Sequence, residues 1–180
     1  MSYSNCALFL CITLHVTSGT VVFAADDPIE PLNRRVGVWT TKTTFKKAEW
    51  TPEERTVTGV ETIKWILDNK LLQGDVVAAD GTKSHWLMNY DAEAEVYRYW
   101  YFDNKNSFPR GNSVGHWNAK SGRIDWNVDV GNGFRGKSSW QYSSKDKLDW
   151  SMTVSDPNGK LMMDMRGTLT RKKQDAKKRD

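Results

Sequence analysis

The chain has 180 residues, of which 38% are hydrophobic, 27% charged and 12% aromatic, the profile of a single globular domain and not of a multidomain enzyme or a disordered chain. The formal net charge is +4, and the last ten residues alone carry +4, so the body is neutral overall. No basic stripe with interleaved aromatics runs through that body, so nucleic acid is not an expected partner.

Residues 1 to 25 carry no Asp, Glu, Lys or Arg and hold the apolar run Ala7 to Leu14, followed by Val21-Val22-Phe23-Ala24-Ala25. This is the pattern of an export leader over 1 to 24, with cleavage after Ala24. The run is too short and too interrupted by Thr13, His15, Thr17, Ser18 and Gly19 to span a bilayer, so stable membrane insertion is not expected. The expected location is the bacterial periplasm or the secreted space. Both cysteines, Cys6 and Cys11, fall in the leader, so the mature chain has neither disulfides nor thiol chemistry.

A lead-in over 25 to 35 contains Pro28 and Pro31, and Leu32 to Arg35 can form one helical turn. From residue 36 to 171, runs rich in Val, Ile, Thr, Trp, Tyr and Phe recur at the spacing of an all-β protein. The expected strands are 36 to 47, 55 to 67, 70 to 78, 82 to 90, 95 to 103, 111 to 118, 122 to 129, 134 to 142, 146 to 155 and 161 to 171. Turn chemistry separates them: Asp68-Asn69, Ala79-Asp80-Gly81, Ser121-Gly122, Gly131-Asn132-Gly133 and Asp156-Pro157-Asn158-Gly159. Short connections make sequence neighbours antiparallel neighbours, and a ten-stranded meander removes its two edges by closing into an up-and-down barrel. The residues from 172 to 180 read as a solvated basic tail.

Few residues suggest catalysis. Once the leader is removed only His85 and His116 remain as histidines, on different strands, which makes them weak metal candidates at most. There is no Gly-x-Ser-x-Gly elbow, and carboxylates such as Glu61, Asp75, Asp125 and Asp149 are scattered over several strands. No catalytic set is therefore assigned.

The nine Trp residues are more informative. Alternation along strands groups Trp39 with Thr41, Thr43 and Phe45, and Trp65 with Ile63 and Leu67. By the same rule Trp86 goes with Met88 and Tyr90, Trp140 with Phe134 and Tyr142, and Trp150 with Leu148, Met152 and Val154. Over 95 to 103 both parities are aromatic and the inward face stays open. The expected ligand-binding set is Trp39, Phe45, Trp65, Trp86, Met88, Trp140 and Trp150 as walls, with Arg98 and Arg166 as polar anchors for a small hydrophobic or planar molecule. Two other readings compete: a carbohydrate-binding or hydrolytic protein using exposed Trp, and a structural or partner-docking module whose core is filled.

Gly37-Val38-Trp39, Lys64-Trp65-Ile66-Leu67, Asn89-Tyr90-Asp91, and Asp156-Pro157-Asn158-Gly159-Lys160 before the closing strand occur in an order that resembles the uncharacterised bacterial family called domain of unknown function 1579. The resemblance covers about Leu32 to Arg171 and implies an exported lipocalin-like (calycin) barrel of no established activity. More distantly the chain is similar to nitrobindin-type haem barrels and fatty-acid-binding proteins. It departs from the haem pattern: Gly-x-Trp is followed by Thr40, Thr41 and Lys42, and no histidine follows His116. No cofactor is assigned, and haem is the alternative.

Overall fold

The computed structural model describes residues 27–105 and 113–173. The expected leader and most of the expected basic tail lie outside the described residues. A four-residue helix α1 (Glu30–Asn33) precedes ten strands: β1 (Gly37–Phe45), β2 (Arg55–Ile66), β3 (Leu71–Ala78), β4 (Lys83–Asp91), β5 (Val96–Asp103), β6 (Ser113–Asn118), β7 (Arg123–Gly131), β8 (Phe134–Ser144), β9 (Lys147–Ser155) and β10 (Leu161–Arg171). Each strand pairs antiparallel with its sequence neighbour, and β1 also pairs with β10, which closes the barrel. The all-β closed barrel expected from the turn spacing is what the chain adopts. Among the described residues no helix is long and apolar enough to cross a membrane.

Register fixes the inward face. Trp39 stands opposite Glu61 on one side and Arg171 on the other, and the same parity carries through Ile63, Leu72, Trp86, Met88, Tyr97, Ile124, Trp126, Leu148 and Leu169, all buried. The ambiguous strand resolves at once: Tyr97, Tyr99 and Tyr101 pair with the inward Tyr90, Met88 and Trp86, so Arg98, Trp100 and Phe102 point outward.

Three glycines make this crowded interior possible. Gly74, Gly115 and Gly167 stand directly opposite Trp86, Trp126 and Trp150, and a Cβ on any of them would overlap the facing indole. Each ring occupies the space a Cβ of the neighbouring strand would fill, so large side chains fit inside the barrel.

One end of the barrel is closed by α1. Pro31 starts the turn with a fixed φ, and Pro31 and Leu32 are buried against the strand ends. The segment is tied down by side chains from many strands: Tyr97 donates to the Pro28 carbonyl at 2.7 Å, Tyr142 to that of Pro31 at 3.0 Å, Trp39 to that of Arg35 at 2.7 Å, and Trp65 to Asn33 Oδ1 at 2.9 Å. Arg171, the last residue of β10, donates to the carbonyls of Val36 and Arg34 at 2.6 Å each and lies 4.1 Å above the Trp39 ring. The lead-in is thus a plug, and it carries the next residue, Arg35, into the barrel.

Candidate functional site

Arg35 leaves α1 and is 5% exposed, its guanidinium lying against two indoles, 4.8 Å from the Trp86 ring and 4.2 Å from the Trp140 ring. Its Nη2 faces Glu61 Oε1 of β2 at 3.7 Å, too long for a hydrogen bond, while the Trp86 indole N–H donates to that same oxygen at 2.6 Å. Glu61 is itself 4% exposed. Burial raises its carboxyl above the ordinary value, and the Arg35 charge and the Trp86 hydrogen bond pull against that rise.

Aromatic rings surround this pair. Trp126 packs against Trp140 at a tilt of 52° with centroids 4.8 Å apart, Tyr99 meets Trp140 edge-on at 5.4 Å, and Tyr99 lies 5.8 Å from Trp86. Burial pushes the Tyr99 hydroxyl well above its usual range, with Tyr101 and Glu61 adding to the shift and Arg35 opposing it. Arg35 Nε and Nη1 and the indole nitrogen of Trp126 are buried without a hydrogen-bond partner.

Inward side chains differ in burial. Thr43, Val76, Tyr101, Ser138, Met152 and Met165 face the interior yet remain partly accessible to solvent, whereas Leu32, Leu72, Met88 and Leu148 at and above the plug are fully buried. Burial is not graded along the axis: Val154, inward on β9 at the mouth opposite α1, is fully buried, and Trp65, Tyr90 and Tyr142 beside the plug are only partly buried. Phe45 lies at this mouth beneath the Arg55 guanidinium, 4.0 Å from its carbon.

The expected binding set divides by depth. Trp86, Met88, Trp140 and Trp150 line the interior at its middle, and Phe45 stands at the rim. Trp39 and Trp65 face inward but hold the plug, so they are structural members of the closed end. Arg98 and Arg166 do not serve as interior anchors: Arg98 points outward and pairs with Asp91 at 2.8 Å, and Arg166 is an exposed outer-face residue near Asp164. Leu67 also departs from the expected face, because the strand ends at Ile66 and Leu67 enters a turn with φ 50°. His85 and His116 are on the outer face, where His85 Nδ1 lies 2.7 Å from Asp75 and His116 is exposed, so neither reaches the interior. Among the described residues no three potential metal ligands come together.

Two open depressions mark the outer surface. One of about 370 Å³ runs over His85, Asp75 and Phe102, and the other, of about 760 Å³, lies over the threonine ladder of Thr40, Thr58, Thr168 and Thr170. Neither contains an unpartnered buried polar group, unlike the interior.

Arg35, Glu61 and Trp126 complete the interior and were not marked as binding residues by sequence reasoning. Arg35 lies outside any strand, in a lead-in with no alternation to read. The signal for Glu61 was parity, since it shares a face with Ile63 and Trp65 on β2.

No family model matches the chain, and no curated protein does. Solved structures do. The chain is similar to an S-type phycobiliprotein lyase, CPES, from Guillardia theta, with 11% identity over 81% of this chain and 93% of that one and a TM-score of 0.58. It is also similar to Rv2717c from M. tuberculosis, with 12% identity over 82% of this chain and 99% of that one and a TM-score of 0.59. These likenesses establish a shared lipocalin-like barrel fold.

Proposed function

We propose that this barrel binds a small hydrophobic or planar molecule, entering from the end opposite α1 and resting on the aromatic floor formed by Trp86, Trp140 and Trp150. The observation that carries the reading is an aromatic interior that holds an unsatisfied charged group: Arg35 lies against the Trp86 and Trp140 rings, and its Nε and Nη1 are buried without a hydrogen-bond partner. Apolar, adaptable walls with a few convergent polar groups are the usual makeup of a small-molecule site. The expected place of action is the periplasm or the secreted space, on the strength of the leader-like residues 1 to 24. The narrower kinship to domain of unknown function 1579 rests on the sequence motifs alone.

Native mass spectrometry of the protein expressed with its leader, followed by solvent extraction, tests the binding reading. A noncovalent adduct of roughly a few hundred daltons, the size of an ordinary pocket ligand, is the expected result. A clean apo mass that stays unchanged when planar and aliphatic probes are added in excess would contradict it. The close tilted and edge-on packing of Trp126, Trp140 and Tyr99 favours a second reading, a barrel filled by its own rings that serves as a structural module. That second outcome is what the unchanged apo mass would indicate.

A further inference from the structure

We propose that the interior selects a hydrophobic carboxylic acid and takes it head-first, with the ligand carboxylate accepting a hydrogen bond from one of the two unpartnered guanidinium nitrogens of Arg35, Nε or Nη1. The inference rests on the interior-binding reading and names the ligand chemistry of that site.

The argument begins with an unmet demand. Arg35 is 5% exposed, and its Nε and Nη1 have no acceptor among the described residues. A guanidinium keeps its charge at any ordinary pH, so burial cannot be relieved by losing the proton. Buried polar groups in folded proteins are hydrogen-bonded as a rule, and a charged donor left without a partner is costly. Glu61 answers only part of this, because its Oε1 lies 3.7 Å from Nη2 and already accepts the Trp86 indole N–H at 2.6 Å. The guanidinium carbon lies 4.8 Å from the Trp86 ring and 4.2 Å from the Trp140 ring, and Nε and Nη1 are buried, so a ligand reaches them by displacing a ring.

Charge chooses the head group. A monocarboxylate satisfies Arg35 with a short, charge-assisted hydrogen bond. A phosphate monoester would bring a second negative charge beside the Glu61 carboxyl, which a low-dielectric interior penalises. Packing chooses the body: Met152, Met165 and Trp150 are inward residues of β9 and β10, which suit an apolar chain or a planar ring and offer no charge of their own. Trp140 is the gate, because it is the ring against Arg35 that solvent still reaches, and a rotamer change of that size is common on binding.

The test compares pyrenebutyric acid with pyrenebutanol, and dodecanoic acid with dodecanol, titrated into the purified full chain with Trp emission as the readout. The acids are expected to bind at least about tenfold more tightly than the matching alcohols. In Arg35→Met that preference should fall below about threefold through loss of acid affinity, with alcohol affinity retained. Near-UV circular dichroism checks the fold, and if Arg35→Met does not fold, the pair Arg35→Met with Glu61→Gln removes the orphaned carboxyl and repeats the comparison. Equal binding of acid and alcohol by the parent, or an acid preference that survives loss of Arg35, would overturn the anchor and leave interior binding standing. Absence of binding by all four probes would overturn both.

Discussion

Replacing Gly74 by alanine tests the packing that builds the site. The added Cβ would lie inside the Trp86 indole, so the ring must move or β3 and β4 must separate. Overpacking of this kind costs about 1–3 kcal/mol. Moving the ring also breaks its 2.6 Å hydrogen bond to Glu61, and a bond to a charged group adds about 1.5–3 kcal/mol. A total of about 2.5–6 kcal/mol corresponds to a fall in Tm of roughly 5–24 °C for a domain of this size. Gly81→Ala is the control: its φ is +81° with nothing within 4 Å of the new Cβ, so it bears only the left-handed backbone cost of about 1–2 kcal/mol. Urea unfolding of both variants gives the two values directly. Trp86→Leu, by removing the obstructing ring, should make Gly74→Ala far less damaging in a double-mutant cycle. If Gly74→Ala proves no more destabilising than Gly81→Ala, the ring-over-glycine account is wrong.

Three further predictions address the plug and the buried ionisable groups. Leu32→Ala should cost about 2–5 kcal/mol by urea unfolding, because Leu32 is fully buried at the closed end; a cost below about 1 kcal/mol would mean that α1 is a loose appendage. Glu61 has a raised folded pKa, so its contribution to stability is greatest below the unfolded value of about 4.3 and is lost as pH rises through the folded value. Glu61→Gln should therefore gain on the parent protein as pH rises from about 4 toward neutrality, and a difference that is flat or slopes the other way would contradict the burial of this carboxyl. Burial pushes Tyr142 up to about 12, so its contribution is intact below the unfolded value of about 10 and lost as pH climbs toward the folded one. Absorbance titration near 295 nm should find this phenol resisting ionisation until the barrel unfolds, and Tyr142→Phe should remove that late-titrating group.

Strand number and most boundaries were legible because turn chemistry is local: Asp156 accepts hydrogen bonds from the backbone N–H of Asn158 and Lys160 at 2.9 and 2.8 Å, as the Asp-Pro-Asn-Gly run suggests. Faces were legible wherever one parity was apolar and the other polar, as at Trp86 and Met88. They were illegible over β5, where aromatic residues occupy both faces and only pairing with β4 separates Tyr99 from Trp100. The misassigned anchors have a similar cause. Arg98 and Arg166 sit among aromatic and methionine neighbours in sequence, but alternation puts them on the outer face with Asp91 and Asp164 in reach. Arg35 enters the barrel because α1 turns the chain inward and six strands hold it there through side chains such as Tyr97, Tyr142 and Arg171, a long-range arrangement without a local signature. The glycine and tryptophan partners are equally hidden, since Gly74 and Trp86 meet only once register is known.

The most direct test of interior binding is the indole region of a proton–nitrogen correlation spectrum, in which each of the nine Trp side chains gives its own N–H signal. On adding pyrenebutyric acid, the signals of Trp86, Trp126, Trp140 and Trp150 should move together and saturate, while Trp100 on the outer face and Trp50, which is 43% exposed, stay in place. Shifts confined to Trp50 and Trp100, with the interior indoles unmoved, would contradict the claim that this barrel holds its ligand inside.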